Sequence, residues 1–401
     1  MRLEFLNLLR DPMGVPFYPV VFEILMIITF ALHIIFVNLI IGGTGLSIWF
    51  SINKNQFTEN IVETFARTTT IGISLAIVLG VAPLLFVQVI YDPLWYSANN
   101  ISAWMVLGFL LLIALSFTIS YIFYFSSKKG GHILWPVISF ILLILSASII
   151  HALSVQMINP EKWTSWIYNG VEINLYGNRL HAVNIARLLH FIIPSFAITG
   201  VYMMLYSWYY KDREDISKAY IEWVAETGRK LALTFSIIQG IVGAIWYVSD
   251  FDVVKFPTHP ITLIGITVAL AYIGYLMKLK DPIDKAIPTA IFTLITVLFM
   301  STVRETLRNV KLSNLGYSIY TYKVSIDWGS TILFLLTFLM GIVVVWYIAT
   351  VVYKMGKSKE KPVDLSSLHK FGKIAASLPV IWFIVVAGFG IVLAIKNKAL
   401  P

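Results

Sequence analysis

Seven histidines in a chain without a single cysteine decide which metal chemistry is open. The lack of thiolates excludes disulfides, iron–sulfur clusters, thiolate zinc sites and covalent c-type haem attachment. A metal would have to be held by His, Met or carboxylate. Three histidines, His33, His151 and His190, fall inside long apolar stretches. An imidazole facing hydrocarbon is costly, so each is expected to face a protein interior and to have a partner there. The plain reading of any one of them is a buried histidine bonded to a neighbouring helix. Three imidazoles on three helices at similar depth would also hold haem iron, and zinc would accept them too. His181 and His259 fall just outside apolar stretches, while His132 and His369 accompany lysines and are expected to be solvated.

Arginines gather towards the same side. Arg179, Arg187, Arg304 and Arg308 all fall near the ends of apolar segments, where carboxylates such as haem propionates would need cationic partners. Snorkelling to lipid headgroups explains any single one equally well.

The elements that must position these side chains are transmembrane helices. Hydrophobic residues make up 58% of the 401 positions and charged residues 13%, whereas about a quarter of a soluble domain is charged. A helix needs about 20 apolar residues to cross a bilayer, and such stretches recur at 20–50, 67–91, 101–126, 133–157, 185–210, 230–249, 260–278, 286–303, 328–353 and 374–395. The expected fold is all-α, a polytopic bundle of about ten spans (nine to eleven) forming one membrane-embedded domain over residues 1–401. Residues 1–19 would be a segment on the outer face. Polar and acidic residues at positions 4 to 11 argue against a cleavable signal peptide.

A formal charge of +9 would suggest nucleic acid in a soluble protein, but here the basic residues sit mostly in loops, so topology is the better explanation. If the loops after spans 1, 3, 5, 7 and 9 are cytoplasmic they hold most of the basic residues, among them Lys128, Lys129, Lys211 and the lysines between Lys354 and Lys373. The N-terminus then faces outward. The opposite loops, 91–100 and 158–184, are rich in Trp and Tyr and, with the basic stretch from Arg304 to Lys323, are expected to offer docking surface.

Several segments resemble subunit I of the cytochrome bd quinol oxidases. "ALHIIFVNLIIGG" is similar to that family's first helix, with the haem-ligating histidine at His33. "GISLAIVLGVAPLLFVQV" is similar to its second helix, and "SASIIHALSVQMINP" to its fourth, which ends in a similar Met-x-Asn-Pro. "NIARLLHFIIPSFAITGVYMMLYSWYYKDRE" looks like its fifth, with the low-spin haem ligand at His190. "VRETLRN" is loosely similar to a Glu-x-x-Arg element, which would place a haem-iron carboxylate at Glu305 and its companion at Arg308. The likeness covers residues 20–250, and spans 7–10 over 251–401 diverge. It implies two or more non-covalent b haems, with haem d left open, a quinol as substrate and at least one further membrane subunit.

The departures reshape the expected function. "GFLLLIALSF" in span 3 lacks the family's glutamates, about ten residues separate spans 6 and 7 where the quinol loop should be, and Met277 is at the wrong end of span 7 to pair with His190. A second imidazole, from His151 or His259, could replace that methionine and would lower the potential. The expectation is a haem-b membrane subunit of a respiratory electron-transfer complex in a prokaryotic cytoplasmic membrane. It would pass electrons between quinol or quinone and an outer-face partner such as a c-type cytochrome. A bd-type terminal oxidase is the runner-up. A transporter is the alternative from another class, since Gly and Pro in spans 6 to 8 can mark broken helices and Glu23 lies near the start of span 1.

Overall fold

The computed structural model describes residues 5–131, 133–168, 170–357 and 366–396, which leaves His132 outside the described residues. Within them the architecture is all-α, with ten helices long and apolar enough to cross a membrane. Span 1 is Pro19–Ile52, span 2 Thr58–Ile90, span 3 Ala103–Ser127, span 4 Leu134–Met157 and span 5 Ile185–Tyr210. Span 6 is Lys218–Ser249, span 7 Pro260–Lys278, span 8 Ala286–Asn314, span 9 Trp328–Gly356 and span 10 Ser366–Lys396.

The chain divides into two compact units, one of Met1–Lys211 with Ile216–Val324 and one of Asp212–Asp215 with Ser325–Pro401. In the second, spans 9 and 10 form a hairpin tied by the Tyr347 and Phe371 rings, 5.5 Å apart, and by Lys354 Nζ donating to Ser367 Oγ at 3.0 Å. Span 9 buries no residue and span 10 only Ala375. Helices apolar all round suit lipid.

In the first unit span 1 is central, packed against spans 2, 4, 5 and 8. Asn38 of span 1 accepts from Ser195 Oγ of span 5 at 2.9 Å, a buried bond that pins the crossing. Three helices outrun the apolar windows that located them. Span 2 starts at Thr58 and span 6 at Lys218, where Ile61 and Phe65 pack with Tyr220, Ile221 and Val224. These turns are amphipathic, so their helices continue where the hydropathy stops. Span 8 likewise runs to Asn314, which places Glu305 and Arg308 inside the helix rather than in a turn beyond it.

Beyond the N-terminal end of span 1 lies a folded cap. Arg10 donates to Thr321 Oγ1 and the Ser318 carbonyl at 2.9 and 2.8 Å, and its guanidinium stacks on Tyr317 and Tyr322. Val15 bridges to Val324. Segment 91–100 is not an open aromatic loop but a helix, Asp92–Ile101, that buries Pro93, Leu94, Trp95 and Ala98 against the cap. In 158–184, Trp163 is buried and Trp166 stacks on His181, while Tyr168, Val171, Ile173, Leu175, Tyr176 and Val183 are exposed. Apolar rings that can reach a core leave the surface, so of the aromatic residues in these loops Trp95 and Trp163 face the interior and Tyr96, Tyr168 and Tyr176 stay outside.

Candidate functional site

His33 is 14 residues beyond Pro19, about 21 Å along span 1. Its Nδ1 is 2.8 Å from the Ala76 carbonyl of span 2. A carbonyl can only accept, so Nδ1 carries the proton and the neutral ring keeps its lone pair on Nε2. A bond of this kind is what orients a metal-binding histidine. The ring lies directly on Gly80, where a Cβ would come within 2.8 Å of its Cε1.

His190 is seated in the same way on span 6. A Cβ at Gly243 would come within 2.8 Å of the His190 Cε1, the Trp246 ring lies 5.0 Å away, and Gln239 Nε2 donates to the His190 carbonyl at 2.8 Å. Nδ1 of His190 is buried without a hydrogen-bond partner, and so is Nε2 of His151, a residue 6% exposed. Phe191 lies between His151 and Phe30, and Phe30 lies beside His33, so aromatic rings join spans 1, 4 and 5. His259 is engaged differently, since its Nδ1 accepts from the Ile261 N–H at 3.3 Å and caps span 7. No three His, Asp or Glu side chains among the described residues meet at one point, so the three-histidine zinc alternative is not assembled.

Around these rings lies a concentration of buried positive charge. Arg187 is 3% exposed, and its guanidinium is 5.8 Å from the Trp246 ring centroid. Arg304 lies 4.0 Å from the Phe30 ring centroid. Neither forms an ion pair among the described residues, and the Nε of Arg187 has no acceptor. Arg308, also 3% exposed, is paired with Glu305 at 2.8 Å, reaches the Met26 sulfur and lies over the Tyr91 ring. Arg304 and Arg308 are therefore interior groups and not the basic docking surface expected of that stretch. Arg179 stays at the margin, its carbonyl accepting from Ser102 Oγ at 2.6 Å.

Glu305 is 1% exposed, with Tyr91 on one oxygen and Arg308 on the other. Each oxygen has one partner, so the carboxylate is held in place from two sides. Tyr91 also reaches Asn309, whose amide donates to Glu23, and Glu23 accepts from Tyr320 as well. Sequence reasoning missed Tyr91, Asn309, Trp246 and the two glycines. Only the i, i+4 spacing of Trp246 and Asp250, whose side chains bond at 2.5 Å, was a visible signal. Asp250, just past span 6, is raised above the usual aspartate range by burial, against the pull of Arg187. A cleft of about 610 Å³ lies elsewhere, in the cap, lined in part by Arg10, Asp11, Thr321 and Lys323.

The fold and this interior define a class: a multi-pass α-helical membrane protein with imidazoles and guanidiniums gathered among its spans. Comparison with known protein families and with curated proteins gives no match to the chain.

Proposed function

We propose that the chain is a haem-b-carrying membrane subunit of a respiratory electron-transfer complex, similar to subunit I of the cytochrome bd oxidases. It would pass electrons between quinol and a partner on the outer face. The observation that carries this reading is His33, deep in the bundle, with Nδ1 committed to Ala76 and Nε2 left as the basic nitrogen. Burying imidazoles beside unpaired guanidiniums is unfavourable unless something compensates them. A haem would do both, since its iron takes the imidazole and its propionates take the arginines.

The residues present fit that group. His33 and His190 would ligate iron from spans 1 and 5, and His151, with its free Nε2, is the second imidazole within the bundle interior. Arg187 and Arg304, which form no ion pair among the described residues, would hold propionates, with Arg308 beside them on Glu305. When bound, haem b supplies reversible one-electron chemistry at iron. The chain's part is to hold the imidazoles on Gly80 and Gly243, to exclude water with Phe30, Phe191 and Trp246, and to set the local charge. The reading includes a prokaryotic cytoplasmic membrane, the N-terminus outside, a second membrane subunit and a c-type cytochrome or other haem protein docking on the outer face.

Pyridine haemochrome analysis of the purified protein tests it. Two or more protohaems per chain are expected. A preparation with no Soret band would overturn the reading and leave a transporter or a purely structural subunit.

A further inference from the structure

We propose that Glu23 is the carboxylate that binds and deprotonates a quinol hydroxyl, at a site now filled by the phenol of Tyr320; the inference rests on the electron-transfer reading above. Glu23 lies four residues into span 1, about 6 Å along the helix from Pro19. That is the level at which a polar quinol headgroup rests while its tail stays in hydrocarbon. Val20, Ile24 and Ile28 are exposed on the same stretch of helix and offer an apolar approach from the lipid side.

Tyr320 shows how such a ligand is held. Its hydroxyl donates to Glu23 Oε2, yet the residue is 58% exposed and sits on a single 3-10 turn, Ile319–Thr321. A phenol donating to a carboxylate is the contact that a quinol hydroxyl would make, and an exposed side chain on one turn is readily displaced. Asn309 Nδ2 holds the other oxygen, so the carboxylate stays aimed when Tyr320 leaves. The ionisable groups facing Glu23 are Tyr320, Glu305, Arg308 and Tyr91. Tyr91 connects Asn309 to Glu305, which anchors the acceptor to the buried ion pair.

The site also shares a helical face with the proposed iron ligand. Glu23, Met26, Phe30 and His33 follow one another at spacings of three and four residues. Met26 touches Arg308 and Phe30 lies under Arg304. Glu23 and His33 are ten residues, about 15 Å, apart along the helix.

In the oxidation, the O–H bond of the hydroxyl at Glu23 breaks and its proton passes to the carboxylate, while the second hydroxyl proton goes to water at the same face. The two electrons would leave one at a time, each reducing one bound ferric haem to the ferrous state, and the hydroxyl carbons would become the carbonyls of the quinone.

The test uses the purified complex and a decyl-chain benzoquinol, both as reductant and as ligand. Dithionite first reports haem content, then stopped-flow absorbance follows haem reduction by the quinol, and equilibrium binding of the quinol is measured separately on the dithionite-reduced protein, which cannot oxidise it. Glu23→Gln is expected to keep the dithionite spectrum and to slow quinol-driven reduction about 100-fold or more, the scale of a lost general base. Tyr320→Phe, which removes the competing hydroxyl, is expected to tighten quinol binding. Wild-type reduction rates in Glu23→Gln with intact haem would overturn the site, as would unchanged or weaker quinol binding in Tyr320→Phe. A wild-type protein without haem would instead overturn the electron-transfer reading. The quinol site would then stand or fall on whether Glu23→Gln weakens quinol binding.

Discussion

Nδ1 of His33 and the carbonyl oxygen of Ala76 are 2.8 Å apart, across the contact between spans 1 and 2. The bond fixes both the tautomer and the direction of the ring. His33→Ala is expected to remove one haem's worth of b-type absorbance. Gly80→Val should do the same by displacing the ring, although it leaves every nitrogen in place. Unchanged haem content in both variants would refute the assignment.

His190 gives a parallel case on span 6. Gly243→Ala places a methyl carbon 2.8 Å from the ring edge, nearer than packed carbons approach. A second haem should be lost, or its midpoint potential shifted, while the His33 haem titrates as before. A redox titration followed in the visible region reads both.

The Arg308–Glu305 pair is buried and each member depends on the other. Arg308→Ala strands a carboxylate beside Tyr91 and is expected to cost about 3–5 kcal/mol, seen as a lower thermal unfolding temperature in detergent. The double variant Glu305→Gln/Arg308→Met removes both charges and should recover most of the loss. If the double variant is as unstable as the single, stranded charge is not the cause.

Asp92 joins the cap through Tyr322 and the Asp11 N–H, and burial raises it above the usual aspartate range. A raised acid favours the folded state when protonated, so this contribution is present at low pH. It is lost as pH climbs from the ordinary aspartate value, about 3.9, through the raised one. Hydrogen exchange of the 5–18 segment should therefore quicken over that interval, and Asp92→Asn should flatten the dependence.

The protein is not expected to reduce oxygen at the rate of a bd oxidase. Oxygen reduction consumes protons, and span 3 offers hydroxyls where carboxylates would serve. Ser116 and Ser120 are buried and donate back to the carbonyls of Leu112 and Ser116 in their own helix. Rapid, cyanide-tolerant oxygen uptake by the purified complex with excess quinol would promote the oxidase reading instead.

What the sequence determined by itself was the solvent and the class of fold. Runs of about 20 apolar residues can only be satisfied in lipid as helices, because each backbone group must be bonded within its own segment. Ten spans followed from that alone. The helix ends did not, since Thr58–Phe65, Lys218–Val224 and Glu305–Asn314 are held by amphipathic packing that a hydropathy window does not see. The residue types at the site were legible too, for a histidine or arginine inside a span stands out against its surroundings.

Only the tertiary structure decided what each of them faces. His33 meets Ala76 and Gly80, His190 meets Gly243 and Trp246, and His259 turns out to cap a helix. Glu305 is enclosed by a tyrosine from the end of span 2 and connected through Asn309 to Glu23 of span 1. Apart from the local His259 cap, these partners are separated by tens to hundreds of residues in the chain. A side chain's local spacing records which face of its own helix it occupies, but the choice of neighbour belongs to how the helices cross.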